Sequence, residues 1–103
     1  MRKTRLSEIW QSLNPGIRED IQQIRDRLED PVSVPTAAEL LHVTERQIHQ
    51  LCQDTVLDFE RRRIRKVYKK SLIIYILKRH GMNHVEVDDD SIRPQERLEY
   101  SVK

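Results

Sequence analysis

A single cysteine, Cys52, is all the thiol this chain has, so no disulfide can form within it, and a reducing compartment such as the cytoplasm is the expected setting. Glycine and proline are also scarce, with two and four in 103 residues, which argues against an all-β or disordered chain and for a helix-rich one. Long apolar runs are missing too. None approaches the roughly 20 residues needed to span a bilayer. The basic start MRKTRLSEIW leads into no apolar stretch of the kind a secretory signal has. Cys52 falls on the inward stripe with Ile48 and Leu51 and has no CxxC partner, so Cys52, His42, His49, His80 and His84 give no expectation of a metal or other cofactor. No glycine-rich phosphate loop exists, and Ser7, Ser12 and Asp88–Asp90 form no nucleophile–base arrangement, so an enzyme is not expected.

What is present is charge, unevenly placed. Residues 1–30 are balanced, residues 31–80 carry a net +5, and residues 81–103 carry a net −3. A basic middle beside an acidic end raises the expectation of a polyanionic partner for the middle. The basic residues are densest in RRRIRKVYKK, residues 61–70, where seven of ten are cationic and none is acidic. The acidic end, residues 82–103, reads as a partly ordered tail whose charge is solubilising, binds a partner, or covers the basic segment.

Hydrophobic periodicity predicts two N-terminal helices within residues 1–30. Leu6, Ile9, Trp10 and Leu13 share one helical face, and Asn14-Pro15-Gly16 ends that run. Ile17, Ile21, Ile24 and Leu28 form a second stripe, stopped by Asp30-Pro31. These stripes must bury against something: a second copy of the chain, giving a homodimer, or the chain's own closing helix.

Residues 31–81 read as one unit. Val32-Ser33-Val34-Pro35 reads as an extended linker, and TAAE (36–39) and TERQ (44–47) as two helix start signals eight residues apart. Two starts that close require a stop at His42. The result is a two-turn helix, a turn, and a second helix over about 45–53. Ala38, Leu41, Val43, Ile48, Leu51 and Cys52 are the inward positions, and Glu45, Arg46, His49, Gln50 and Gln53 the outward, polar ones. Residues 55–68 lose the helical stripe and suit a small hairpin. In Lys69 to Arg79 the apolar run 72–77 would also suit a buried strand, but a length of about 11 residues and basic residues followed by Gly81, a helix stop, favour a closing helix.

The three blocks AAELLHVTERQIHQL, FERRRIRKVYKKSL and IIYIL, in that order, give Pro35 through Leu77 a likeness to known proteins. The segment resembles the excisionase/MerR-like winged helix–turn–helix domains of bacterial and phage regulators. The resemblance implies a mainly α fold with a small β-hairpin wing, preceded here by the two amphipathic helices. It also implies binding to double-stranded DNA, in transcriptional regulation or as an excisionase-like architectural factor associated with the nucleoid. Thr44, Glu45, Arg46, His49 and Gln50 would lie in the major groove. Arg61, Arg62, Arg63, Arg65 and Lys66 would meet phosphates or the minor groove. Two departures stand out: the family has glycine where this chain has His42, and often glycine before the wing, where this chain has Asp54-Thr55. Histidine tolerates the left-handed backbone better than most residues. Metal or drug sensing of the MerR type is not implied, because its ligand-binding part and cysteines are missing.

Read from the residues alone, the polar face could be ordinary helix surface and the basic run a solvated loop. The rival function is then a protein-interaction adaptor that uses the two N-terminal helices as its binding surface.

Overall fold

The computed structural model describes residues 4–27 and 29–87. They form a mainly helical fold with a small antiparallel sheet. The chain starts with strand β1 (Thr4–Arg5), helix α1 (Leu6–Ile9) and a 3-10 turn at Trp10–Ser12. Helix α2 (Pro15–Arg25) begins as the sequence implies. Asn14 Oδ1 accepts the Gly16 N–H at 2.8 Å, and Pro15 takes the first helical position, where its missing N–H costs nothing. The end of α2 differs from the expected stop at Asp30-Pro31, since the helix closes at Arg25. Asp26, Glu29 and Asp30 place negative charge where the helix dipole is already negative, and the buried Lys69 donates Nζ–H to the Arg25 carbonyl at 3.3 Å. Leu28 lies outside the described residues.

Val32–Ser33 is strand β2, not a linker, and helix α3 (Val34–Leu41) starts two residues before the expected Thr36. Pro35 sets the first turn, Val34 is buried, and the Thr36 hydroxyl accepts from Ser33 Oγ at 2.9 Å within that turn instead of capping it. Helix α4 (Glu45–Gln53) follows the sequence reading closely. Thr44 Oγ1 accepts the Gln47 N–H at 3.1 Å, and Gln47 Oε1 accepts the Thr44 N–H at 2.9 Å.

Between α3 and α4, His42 adopts the left-handed geometry, with φ 61° and ψ 43°. Its N–H donates to the Glu39 carbonyl at 3.3 Å and that of Val43 to the Ala38 carbonyl at 2.9 Å, the paired bonds of a Schellman stop. Two more helices end the same way. Thr55 (φ 59°) closes α4, with its N–H on Cys52 and that of Val56 on Leu51. Gly81 (φ 81°) closes helix α5 (Lys69–Arg79), with its N–H on Lys78 and that of Met82 on Leu77. Only one of the three sites uses glycine. Thr55 bears the largest strain, because its β-branch crowds a positive φ. Thr55→Gly is expected to raise stability by about 1 kcal/mol, the relief exceeding the added chain entropy. A thermal melt should rise by roughly 4–8 °C. His42→Gly should gain less, since it also removes the contact of His42 Nε2 with Asp20 Oδ1 at 3.6 Å.

The hairpin is present as β3 (Phe59–Glu60) and β4 (Lys66–Val67), antiparallel, with residues 61–65 as its loop. β2 adds to the other side of β4, giving the order β2-β4-β3 and placing Val32 opposite Val67. α5 packs on α2 and α3, and α3 on α4. One core gathers residues from Leu6 to Val87, including Ile48, Leu57, Leu72 and Ile73, each at most 1% exposed. Burying a side chain of this size contributes about 1.5–3 kcal/mol.

Much of the two N-terminal stripes packs on the chain's own core. Leu6, Leu13, Ile17, Ile21 and Ile24 are buried within the single chain, Ile21 and Ile24 at 0% exposure. Ile9 and Trp10 are half-buried against the same core, and the Arg25 guanidinium carbon lies 4.8 Å from the Trp10 ring centroid. The expected tail from Met82 is structured as far as Val87: β5 (Val85–Glu86) pairs in parallel with β1, and Val87 is 2% exposed. Residues 88–103, with Asp88–Asp90, lie outside the described residues. Among the described residues, no helix is long and apolar enough to cross a membrane.

Candidate nucleic-acid interface

α4 is held to the core by Ile48 (0% exposed) and Cys52 (2%), one turn apart, with Leu51 half-buried beside them. The opposite face is polar and exposed along its length. Glu45 and His49 stand one turn apart, as do Arg46 and Gln50, so these four share that face. Burial pushes the Cys52 thiol up from its ordinary value, against the opposing pull of the Arg65 cation, so it stays protonated under the helix.

The expected groove residues are not equally available. The Thr44 hydroxyl is committed to the α4 cap. Gln50 Nε2 donates to Asp54 Oδ1 at 3.1 Å, so its amide is already oriented along the helix. Glu45 and Arg46 are exposed at the start of α4.

The basic residues divide similarly. Arg61, Arg62 and Arg63 are exposed in the hairpin loop, and next to them Ile64, 68% exposed, is the most exposed large apolar side chain among the described residues. Arg62 Nε lies 3.6 Å from Glu60 Oε2, an open pair that water screens and that contributes little. Arg61 and Arg65 both lie over the Phe59 ring, 5.1 Å and 4.6 Å from its centroid. Lys66 is half-buried in β4, opposite Ser33 and Glu60.

Arg65 reaches furthest. Its Nη1 donates to Nδ1 of His49 at 3.0 Å and to the His49 carbonyl at 3.4 Å, which ties the hairpin to the exposed face of α4. Nothing in the sequence pattern announces this bond between His49 and Arg65, 16 residues apart. The site expected from sequence also leaves out Phe59, whose signal is an aromatic residue entering a run of arginines.

Lys69 departs from the basic run. Its side chain is 2% exposed and directed at the end of α2, so it is unavailable to a polyanion. Helical spacing carried that signal, since Lys69, Leu72, Ile73 and Ile76 fall on one stripe. Among the described residues, no three His, Cys, Asp or Glu side chains come together as a metal site. Comparison with protein-family models, with curated proteins and with solved structures gave no match.

Proposed function

We propose that this chain binds double-stranded DNA through a winged helix–turn–helix unit, as a transcriptional regulator or an excisionase-like architectural factor. In this reading α3 supports α4, α4 enters the major groove, and the loop 61–65 is the wing on phosphates or the minor groove. The observation that carries the reading is the continuity of the two surfaces. The polar face of α4 and the arginines of the hairpin adjoin through the Arg65–His49 contact. A duplex offers base edges flanked by phosphates, and so asks for hydrogen-bonding groups flanked by cations.

Arg46 suits a bidentate contact to guanine N7 and O6, and Gln50 one to adenine once its amide leaves Asp54. Arg46→Ala should therefore relax the preference at one base position by about 5–150-fold, while changing the salt dependence little. Binding to a panel of duplexes varied one position at a time checks this. A uniform loss across the panel would place Arg46 on the backbone instead. One such module covers only about 600–1,000 Å², so specific binding calls for pairing or arrays on DNA.

The test of the whole reading is a titration of duplex DNA at two salt concentrations. With about five cations on phosphates, log K should fall against log[salt] with a slope near −4 to −5. Absence of salt-dependent binding would favour the adaptor, although the burial of its intended surface leaves that reading with less to stand on.

A further inference from the structure

Arg65 differs from its neighbours in the loop because its head group is already held from two sides. It lies over Phe59, and Nη1 reaches both Nδ1 and the backbone carbonyl of His49. A guanidinium has only donors to offer and stays protonated throughout the range in which proteins are folded. The atom facing it must therefore accept, so Nδ1 of His49 presents a lone pair. A neutral imidazole whose Nδ1 accepts carries its proton on Nε2. That nitrogen lies across the ring from Arg65, on a residue exposed on the polar face of α4.

We infer that Arg65 is a positioning residue that fixes the tautomer and orientation of His49, so that α4 offers one defined Nε2–H donor to an acceptor on a base edge. The inference rests on the DNA-binding reading and adds a chemical preference to it. Guanine presents N7 and O6 in the major groove, adenine N7 and thymine O4, all acceptors. Cytosine presents the N4 amine, a donor. A donor facing a donor leaves both without a partner, so the base under His49 is selected against cytosine. A phosphate-binding role for Arg65 makes a different prediction. Lysine would then replace it with little loss, because the charge is kept. A lysine ammonium has no planar face to lie on Phe59, the contact that holds the Arg65 head group beside His49, so the positioning role does not survive that exchange.

The experiment has two arms. In the first, long-range proton–nitrogen NMR of the histidine rings is recorded on the free wild type, Arg65→Ala and Arg65→Lys at about pH 8, above the ordinary histidine range. The wild type should show an unprotonated Nδ1 and a protonated Nε2 at His49, and Arg65→Ala should move both signals toward a tautomer average. A proton on Nδ1 in the wild type, or a His49 ring unaffected by Arg65→Ala, overturns the inference. In the second arm, the wild type should bind cytosine at one position about tenfold more weakly than the other bases. His49→Ala and Arg65→Lys should both lose that penalty, with the salt slope of Arg65→Lys unchanged. A penalty retained in Arg65→Lys, or none in a wild type that binds DNA, overturns the base-reading step. A wild type that binds no DNA fells the underlying reading and that step with it. The ring signals, read on the free protein, keep the two failures apart.

Discussion

Replacing Arg61, Arg62 and Arg63 together with alanine should cut affinity for duplex DNA by about 10²–10³-fold at roughly 0.1 M salt and leave the fold intact. Each cation on a phosphate contributes about 0.9 to the slope of log K against log[salt], so three removed contacts should flatten it by about 2.7. None of the three side chains is needed by the core. All are exposed, the Arg62–Glu60 pair is open to solvent, and Phe59 keeps Arg65 over its ring when Arg61 is gone. The thermal melt should accordingly stay within about 0.5 kcal/mol of the wild type. Binding isotherms at several salt concentrations measure the slope directly. An unchanged slope in a variant that still binds would remove this loop from the DNA interface and leave α4 to be tested alone.

The parts of this fold that the sequence announced are those set by residues within one turn of each other. The cap at Thr44 joins residues three apart, and the reversal at His42 needs only Ala38 to Val43. The closing helix Lys69–Arg79 was legible for a similar reason, with its apolar run and its Lys78-Arg79-His80-Gly81 stop contiguous. What stayed hidden depends on distant partners. α2 ends where Lys69, 44 residues further on, reaches the Arg25 carbonyl. The pairing of Thr4–Arg5 with Val85–Glu86 involves strands of two residues each, too short to show any periodicity. Thr36 carries the pattern of a cap, but Ser33 followed by Pro35 starts the helix earlier, because Val32–Ser33 is held as a strand by its distant partner Lys66–Val67.

The candidate site shows the same division. Its polar face and its arginines could be named from the sequence, because helical spacing and charge density suffice for that. Their division of labour could not. Whether Arg65 meets a phosphate or His49 depends on the hairpin register, which brings together residues 16 apart. Charge density includes Lys69 in the cationic run 61–70, whereas periodicity puts it on the buried stripe of α5. Where the two signals conflicted, periodicity was the better guide, because a helix commits its inward face whatever residue stands there.

Lys69 is accordingly where a single substitution should do most damage to the fold. Its side chain is 2% exposed, Nζ donates to the Arg25 carbonyl, and its backbone N–H donates to Asp30 Oδ1 at 3.0 Å. Burial lowers its pKa from the ordinary 10.5, and the charges of Asp30, Asp26 and Glu29 pull the other way without cancelling the shift. The folded state thus holds this proton less firmly than the unfolded chain, so the charge carries a small net cost at neutral pH. Lys69→Met should then be tolerated, within about 1.5 kcal/mol of the wild type, since the lost bond to Arg25 is set against the removed desolvation. Lys69→Glu should destabilise by about 3–5 kcal/mol, because it buries a carboxylate beside three others and takes the donor from the end of α2. The pH dependence has a definite sign. Between the lowered folded value and 10.5 the unfolded chain binds more protons, so this lysine makes stability rise with pH across that alkaline window. Denaturant melts of the wild type and Lys69→Met at several alkaline pH values isolate the effect. The stability difference, wild type minus Met, should grow with pH there, and a difference that shrinks would mean that the acidic side chains outweigh burial and that the folded state holds the proton more tightly.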